Sequence, residues 1–325
     1  MFELPVMKKT ILALALSASV WAAPPKTNLP NPLSYVDPTC VSFAVLQARP
    51  GDAAFDQALR SIWGDLEKRN LQPGSWIAIL SGLLSSSQKQ QFLLGLLPFQ
   101  GVRLDYIDPK GVPHSTTVIS IAGWRGLQSI YWSKLQMDES GKPWPLKRYG
   151  KADVAVRGKS AVARMDGNFY AFTDASQVER SFTRPPSAPT ALYKGLNQQR
   201  DTYGLLFNKQ QSIRRFLFWV DQFDLGAVEQ AMGVEKFAKA LDSIEYLSWE
   251  GEFLDEDRCA LEMRWKTSNP DLVEEMLSVA RKVLKERGRP ATMQTVGLED
   301  EILLNMELGG NRRFFVDYLA KKEPI

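Results

Sequence analysis

One histidine, His114, and two cysteines, Cys40 and Cys259, bound the chemistry available to this chain. They are too few for a zinc site built mainly from Cys and His, a two-histidine metalloprotease site or a cysteine-ligated iron–sulfur cluster. No Gly-x-Ser-x-Gly elbow occurs, so a Ser-His-Asp site would have to use Ser115, the chain neighbour of His114. Adjacent residues of a strand point to opposite faces, which makes Ser115 a poor partner. Beside Pro113 at the mouth of a hairpin, His114 is expected to face solvent as a turn residue without partners. No catalytic residue and no cofactor follow from these residue types.

Two other patterns invite chemistry. Gly158-Lys159-Ser160 has the ending of a phosphate-binding loop, but Asp153 stands where that loop needs its first glycine. The run Ser160–Met165 also reads as a strand where the loop needs a helix, so a hairpin turn is expected. Carboxylates cluster at Asp255-Glu256-Asp257 and Glu299-Asp300-Glu301, each just before a strand. Brought to one end of a sheet they would offer oxygen ligands to calcium, although no Asp-x-Asp-x-Asp-Gly loop is present. A pair of glycosidase carboxylates needs no sequence spacing and leaves no signature.

Tryptophans are the conspicuous surplus: Trp63, Trp76, Trp124, Trp132, Trp144, Trp219, Trp249 and Trp265 follow the N-terminal segment. Most lie on the apolar stripe of their own element, which predicts core packing. Trp144, in Lys142-Pro143-Trp144-Pro145, falls on a loop and is the candidate for touching a ligand or partner.

The elements that must position these residues follow from periodicity. Val102–Ile107 and Thr116–Ala122 flank Asp108-Pro109-Lys110-Gly111, a turn with Pro and Gly where a type I turn favours them. Ala152–Arg157, Ser160–Met165 and Phe169–Thr173 form a second set, with Asp166-Gly167 between the last two. In the third set, Leu247, Trp249, Gly251 and Phe253 share one face, and Cys259, Leu261, Met263 and Trp265 continue it after the acidic turn. Each set is followed by a helix pattern, the clearest running from Asn269-Pro270 through Leu272, Val273, Met276, Leu277, Ala280, Val283 and Leu284. The expected fold is α+β: antiparallel sheets built from repeated strand–strand–helix units, with helices on one face.

Met7-Lys8-Lys9, the apolar run Thr10–Val20 and Val20-Trp21-Ala22 have the order of a secretory signal peptide cleaved after Ala22. The run is too short for a transmembrane helix, which needs ~20 apolar residues. The chain then divides into a signal peptide (1–22), a proline-rich flexible lead (23–40), a first α+β half (41–182), a proline-rich linker (183–195) and a second half (196–325) with a helical insert over Gln210–Leu241. Export makes a Cys40–Cys259 disulfide possible, closing a loop of about 220 residues worth ~5 kcal/mol.

A net charge of +3 over 325 residues, lower still without Lys8 and Lys9, gives no basis for nucleic-acid binding. No later segment is long and apolar enough to span a membrane. No residues match a family signature, although the general arrangement resembles bacterial envelope proteins. The expectation is therefore an exported, periplasmic or extracellular protein that binds an apolar ligand or another envelope protein without transforming it. A carboxylate-dependent hydrolase acting on glycans and a structural module of the envelope are the alternatives.

Overall fold

Apolar–polar alternation and turn chemistry are local signals, and where they are strong the chain forms the strands they dictate. The computed structural model describes residues 39–48, 53–68, 99–121, 132, 142–150, 152–165, 169–183, 191–217, 225–286 and 291–309. The signal-peptide segment, nearly all of the proline-rich lead, the stretches 69–98 and 122–131, and residues 310–325 lie outside them.

Twelve strands occur in the described residues. They are β1 (Ser42–Ala48), β2 (Phe99–Ile107), β3 (Pro113–Ile121), β4 (Leu146–Tyr149), β5 (Ala152–Arg157), β6 (Ser160–Arg164), β7 (Phe169–Asp174), β8 (Thr202–Phe207), β9 (Ile244–Phe253), β10 (Cys259–Thr267), β11 (Ala291–Gly297) and β12 (Glu301–Leu308). The helices are α1 (Ala53–Lys68), α2 (Val178–Thr183), α3 (Ala191–Gly195), α4 (Ser212–Leu217), α5 (Leu225–Met232), α6 (Val234–Ser243) and α7 (Pro270–Glu286).

The strands make one antiparallel sheet in the order β11-β12-β10-β9-β8-β1-β2-β3-β7-β6-β5-β4. The α+β class is as expected, but there is a single sheet, and its order displays no strand–strand–helix repeat. Near the middle of the sheet, β1 pairs with β8, a strand far from it along the chain. Neither β8 nor the edge strands β4 and β11 carries a strong alternation, which is why the sequence reading passed over all three.

Directly opposed residues of antiparallel neighbours share a face. One row can be followed from edge to edge: Lys147, Val154, Ala163, Ala171, Val118, Val102, Val45, Tyr203, Glu250, Glu262, Asn305, Gln294. From Val154 to Tyr203 every member is buried; from Glu250 onward the row is charged or polar. The next row, on the other face, holds Ala44, Gly204, Trp249, Met263 and Leu304. The two ends of the sheet therefore carry their main cores on opposite faces, and only a small cluster of Trp132, Val162 and Tyr170 is buried on the second face at β6 and β7.

On the first face, Phe43, Val45, Val154 and Tyr203 pack with Val178 of α2 and Tyr193 of α3. Thr116 binds Thr173 (2.8 Å) and Ser181 (3.1 Å), tying α2 to this face. On the second face, Leu247, Met263, Trp265, Ile302 and Leu304 pack with Ile213, Val228, Phe237 and the expected α7 stripe. Helices thus occupy both faces of the sheet and not one, because each end of the sheet presents its apolar rows to a different side. At the switch, β8 is buried on both sides: Tyr203 and Leu205 join the first core and Leu206 the second.

Local chemistry sets the element ends. Asn269 accepts from the Leu272 amide (3.2 Å) ahead of Pro270, as expected for the start of α7. Gly233, with φ of 88°, separates α5 from α6 where a single helical pattern was read. The Gly158-Lys159 turn joins β5 to β6 with Gly158 at φ 58°, so this segment is a hairpin and not a phosphate loop.

Candidate functional site

His114 departs from expectation. Its side chain is only 12% exposed, and both ring nitrogens face carboxylates. Nδ1 lies 2.8 Å from Asp174 at the end of β7, and Nε2 lies 3.5 Å from Asp108 in the β2–β3 turn. The sequence reading missed this because Asp174 is sixty residues away and is brought alongside only by the β3–β7 pairing. Asp108 also accepts from the amides of Lys110 (2.9 Å) and Val112 (2.7 Å). The Val112 amide, helped by His114 and Lys110, holds its carboxyl below the usual carboxylate range against the opposing effect of burial.

A histidine oriented by an aspartate supplies two of the three members of a catalytic triad. Here, though, Nε2 is buried, faces Asp108 and has no hydrogen-bond partner among the described residues. Ser115 points to the other face, as expected, where it donates to Asp105 (2.5 Å) and accepts from Arg103 (3.1 Å). The cluster ties a hairpin turn to the end of β7, and among the described residues no nucleophile faces the imidazole.

The acidic runs lie at opposite ends of strand β10. Asp255–Asp257 precede Cys259, which is opposite Leu308, whereas Glu301 is opposite Lys266. The two runs are seven strand positions apart, ~24 Å. Asp255 is occupied in its own turn, accepting from the amides of Asp257 and Arg258 and from the Arg258 guanidinium. Asp300 pairs with Lys266. No group of three metal-ligating side chains occurs among the described residues.

The cysteines are separate thiols. Cys40 is in the first-face core, donating to the Ser42 carbonyl, and Cys259 packs against the second. Ser42 lies three strands from Trp265, ~14 Å, and Cys259 is six residues, ~20 Å, further along β10. That span is far beyond disulfide range, so the bridge that the sequence left possible is not formed here. Trp144, expected to be exposed, is half-buried just before β4. Its indole N–H is buried and has no hydrogen-bond partner among the described residues.

A groove of about 290 Å³ opens on the first face between β9 and β11; no described helix residue lines it, and Ser61 of α1 donates to Glu256 in the adjoining β9–β10 turn. Ala260 forms its floor, flanked by Glu252 on β9 and Glu307 on β12. A methyl group among longer side chains leaves the depression. The next row supplies Glu250, Glu262, Asn305 and Gln294, and Thr292 lies beyond Glu307.

The far wall is Arg200, which pairs with Glu252. Its loop is held by buried Gln47, whose amide donates to the carbonyls of Gln198 (2.7 Å) and Arg200 (2.8 Å). The Asn197 amide in turn donates to Glu250 (2.8 Å). The walls are thus carboxylates, amides, the Thr292 hydroxyl and the Arg200 guanidinium, with acceptors in the majority, an arrangement suited to a polar ligand that carries hydrogen-bond donors. The alternation of Glu250, Glu252, Glu262 and Asn305 with apolar residues is visible in the sequence, but it reads there only as a wet face.

No described helix is long and apolar enough to cross a membrane. Comparison with known proteins found no matching protein family, no matching curated protein and no matching solved structure.

Proposed function

We propose that this chain is an exported protein of the bacterial envelope that binds a ligand or partner on the uncovered sheet face and carries out no reaction on it. The observation that carries the reading is the Ala260 groove, an open depression with polar walls on the sheet. Its carboxylates and amides suit a polar, donor-bearing ligand or partner segment, where the sequence had suggested an apolar one. The N-terminal charge, apolar run and Ala22 site support export.

Native mass spectrometry of the protein recovered from its own envelope, joined to N-terminal sequencing, tests both parts. The expected result is a chain beginning at Ala23 that carries a bound species, and loss of that species in Ala260→Phe, which fills the groove. A bare spectrum for the unaltered protein, or an adduct that survives the substitution, overturns the groove. An uncleaved chain overturns export.

The hydrolase reading keeps one favourable observation, the direct opposition of Glu250 and Glu262. Release of reducing ends from envelope glycan, abolished by Glu262→Gln, would replace the binding reading.

A further inference from the structure

The two edges of the sheet are built differently. β4 is four residues long, and two of them, Lys147 and Arg148, are charged. A short charged edge resists pairing with another chain. β11, the edge among the described residues at the other end, presents Ala-Thr-Met-Gln-Thr-Val-Gly without a charge or a proline. Gln294, Val296 and Gly297 on it are exposed, Val296 by 50%. A strand of this kind leaves a row of backbone donors and acceptors open to another strand.

Helix α7 indicates which strand. It packs over β11 and β12 on the second face, and Thr295 donates to Glu274 (3.4 Å). Spacing of three and four residues puts Ser278, Arg281 and Lys285 on the same side of the helix as Glu274, and all four are exposed. The stripe is acidic where it overlies the end of β11. It is basic towards Glu286, from which a short connection returns to Ala291.

We propose that β11 is a seam between two copies of this chain, paired antiparallel about a two-fold axis through Gln294. The partner's Thr295 then lies opposite Met293, so the partner's Glu274 falls on the side where this copy carries Arg281 and Lys285. Acidic and basic ends meet twice across the axis. With strands 4.8 Å apart and each α7 above β11 and β12, the two helices come to about 10 Å, the ordinary helix-packing distance. The axis is perpendicular to the sheet, so both grooves stay on one side and join across Gln294. The seam is inferred from β11 and α7 and does not depend on the groove having a ligand.

Sedimentation of the purified protein through a micromolar dilution series tests the seam, with circular dichroism confirming that each variant is folded. The unaltered protein is expected at twice the chain mass. Glu274→Arg weakens the dimer about tenfold, because the change counts twice across the axis. Glu274→Arg with Arg281→Glu restores it, and both residues lie on the face away from the groove. Gln294→Lys opposes two ammonium groups on the axis and gives the monomer. A monomeric unaltered protein, a Gln294→Lys dimer, or failure of the charge swap to restore association overturns the proposal.

Discussion

The strands from β5 to β1 and those from β9 to β12 are hydrogen-bonded into one sheet, yet their main cores lie on opposite faces, with a small Trp132–Val162–Tyr170 cluster behind the first. In the first group the covered row runs through Val154, Ala163, Val118 and Val45. In the second the same row continues as Glu250, Glu262 and Asn305, and the adjacent row of Met263 and Leu304 is the buried one. Alternate residues of a strand are independent, so each end of a sheet can choose its covered side. The constraint falls on the strand between them, which must be apolar on both sides. β8 meets it with Tyr203, Leu205 and Leu206, and with Gly204 beneath the Trp249 ring. The choice also leaves the first face of the C-terminal strands open, and the groove lies there.

Neighbouring leucines give the sharpest test of two cores. Leu205→Ala and Leu206→Ala are each expected to cost about 2–5 kcal/mol in urea denaturation, since both side chains are buried. They should act on different sides: Leu206→Ala shifts the indole N–H resonance of Trp265, and Leu205→Ala leaves it in place. If both substitutions move Trp265, the cores are not separate.

Gly204→Ala probes the switch directly. An added Cβ would sit 2.1 Å from the Trp249 ring, so the ring must leave its place on β8. We expect a loss of about 1–3 kcal/mol, partly recovered when Trp249→Leu is added. An unchanged melting temperature in the single variant would mean that the ring does not fix this strand pair.

On the open face the effects shrink. Glu262→Ala should change stability by less than about 0.5 kcal/mol, because its salt bridge to Arg264 is at the surface. The same substitution should weaken retention of any groove-bound species in the native spectrum. A large stability loss would place Glu262 in a core and contradict the switch of faces.

The smallest effect concerns acid. The Asp108 carboxyl is held below its usual range in the folded hairpin, chiefly by the Val112 amide, and so favours folding above the ordinary carboxylate value of ~3.9. This contribution is lost as pH falls through the lowered value. Amide exchange at Lys110 and Val112 should stay slow down to about pH 4 and quicken below it. Quickening near neutral pH would show that the carboxylate does not hold the turn.

Local signals made much of this architecture legible. Leu247 to Phe253 and Cys259 to Trp265 alternate so clearly that their pairing and apolar face could be read directly. Asp108-Pro109-Lys110-Gly111, Gly158-Lys159 and Asn269-Pro270 named their turns and cap for the same reason: each depends on residues within a few positions. The candidate site was legible only as separate polar residues. The Ala260 depression exists because Glu252 and Glu307 come from strands on either side of β10, and the loop of Arg200 is placed by Gln47 of β1.

By itself, then, the sequence determined the α+β class, the strong hairpins, the amphipathic face of α7 and that one histidine and two cysteines are too few for a metal site built mainly from them. These depend on composition and on contacts close in the chain. Only the tertiary structure decided that there is one sheet, which face each end covers, that His114 lies between Asp108 and Asp174, and that Cys40 and Cys259 are kept apart. A strand carries two faces but nothing that says which one will be covered. That is settled when distant strands such as β1 and β8 pair and the helices find the apolar rows their register has aligned.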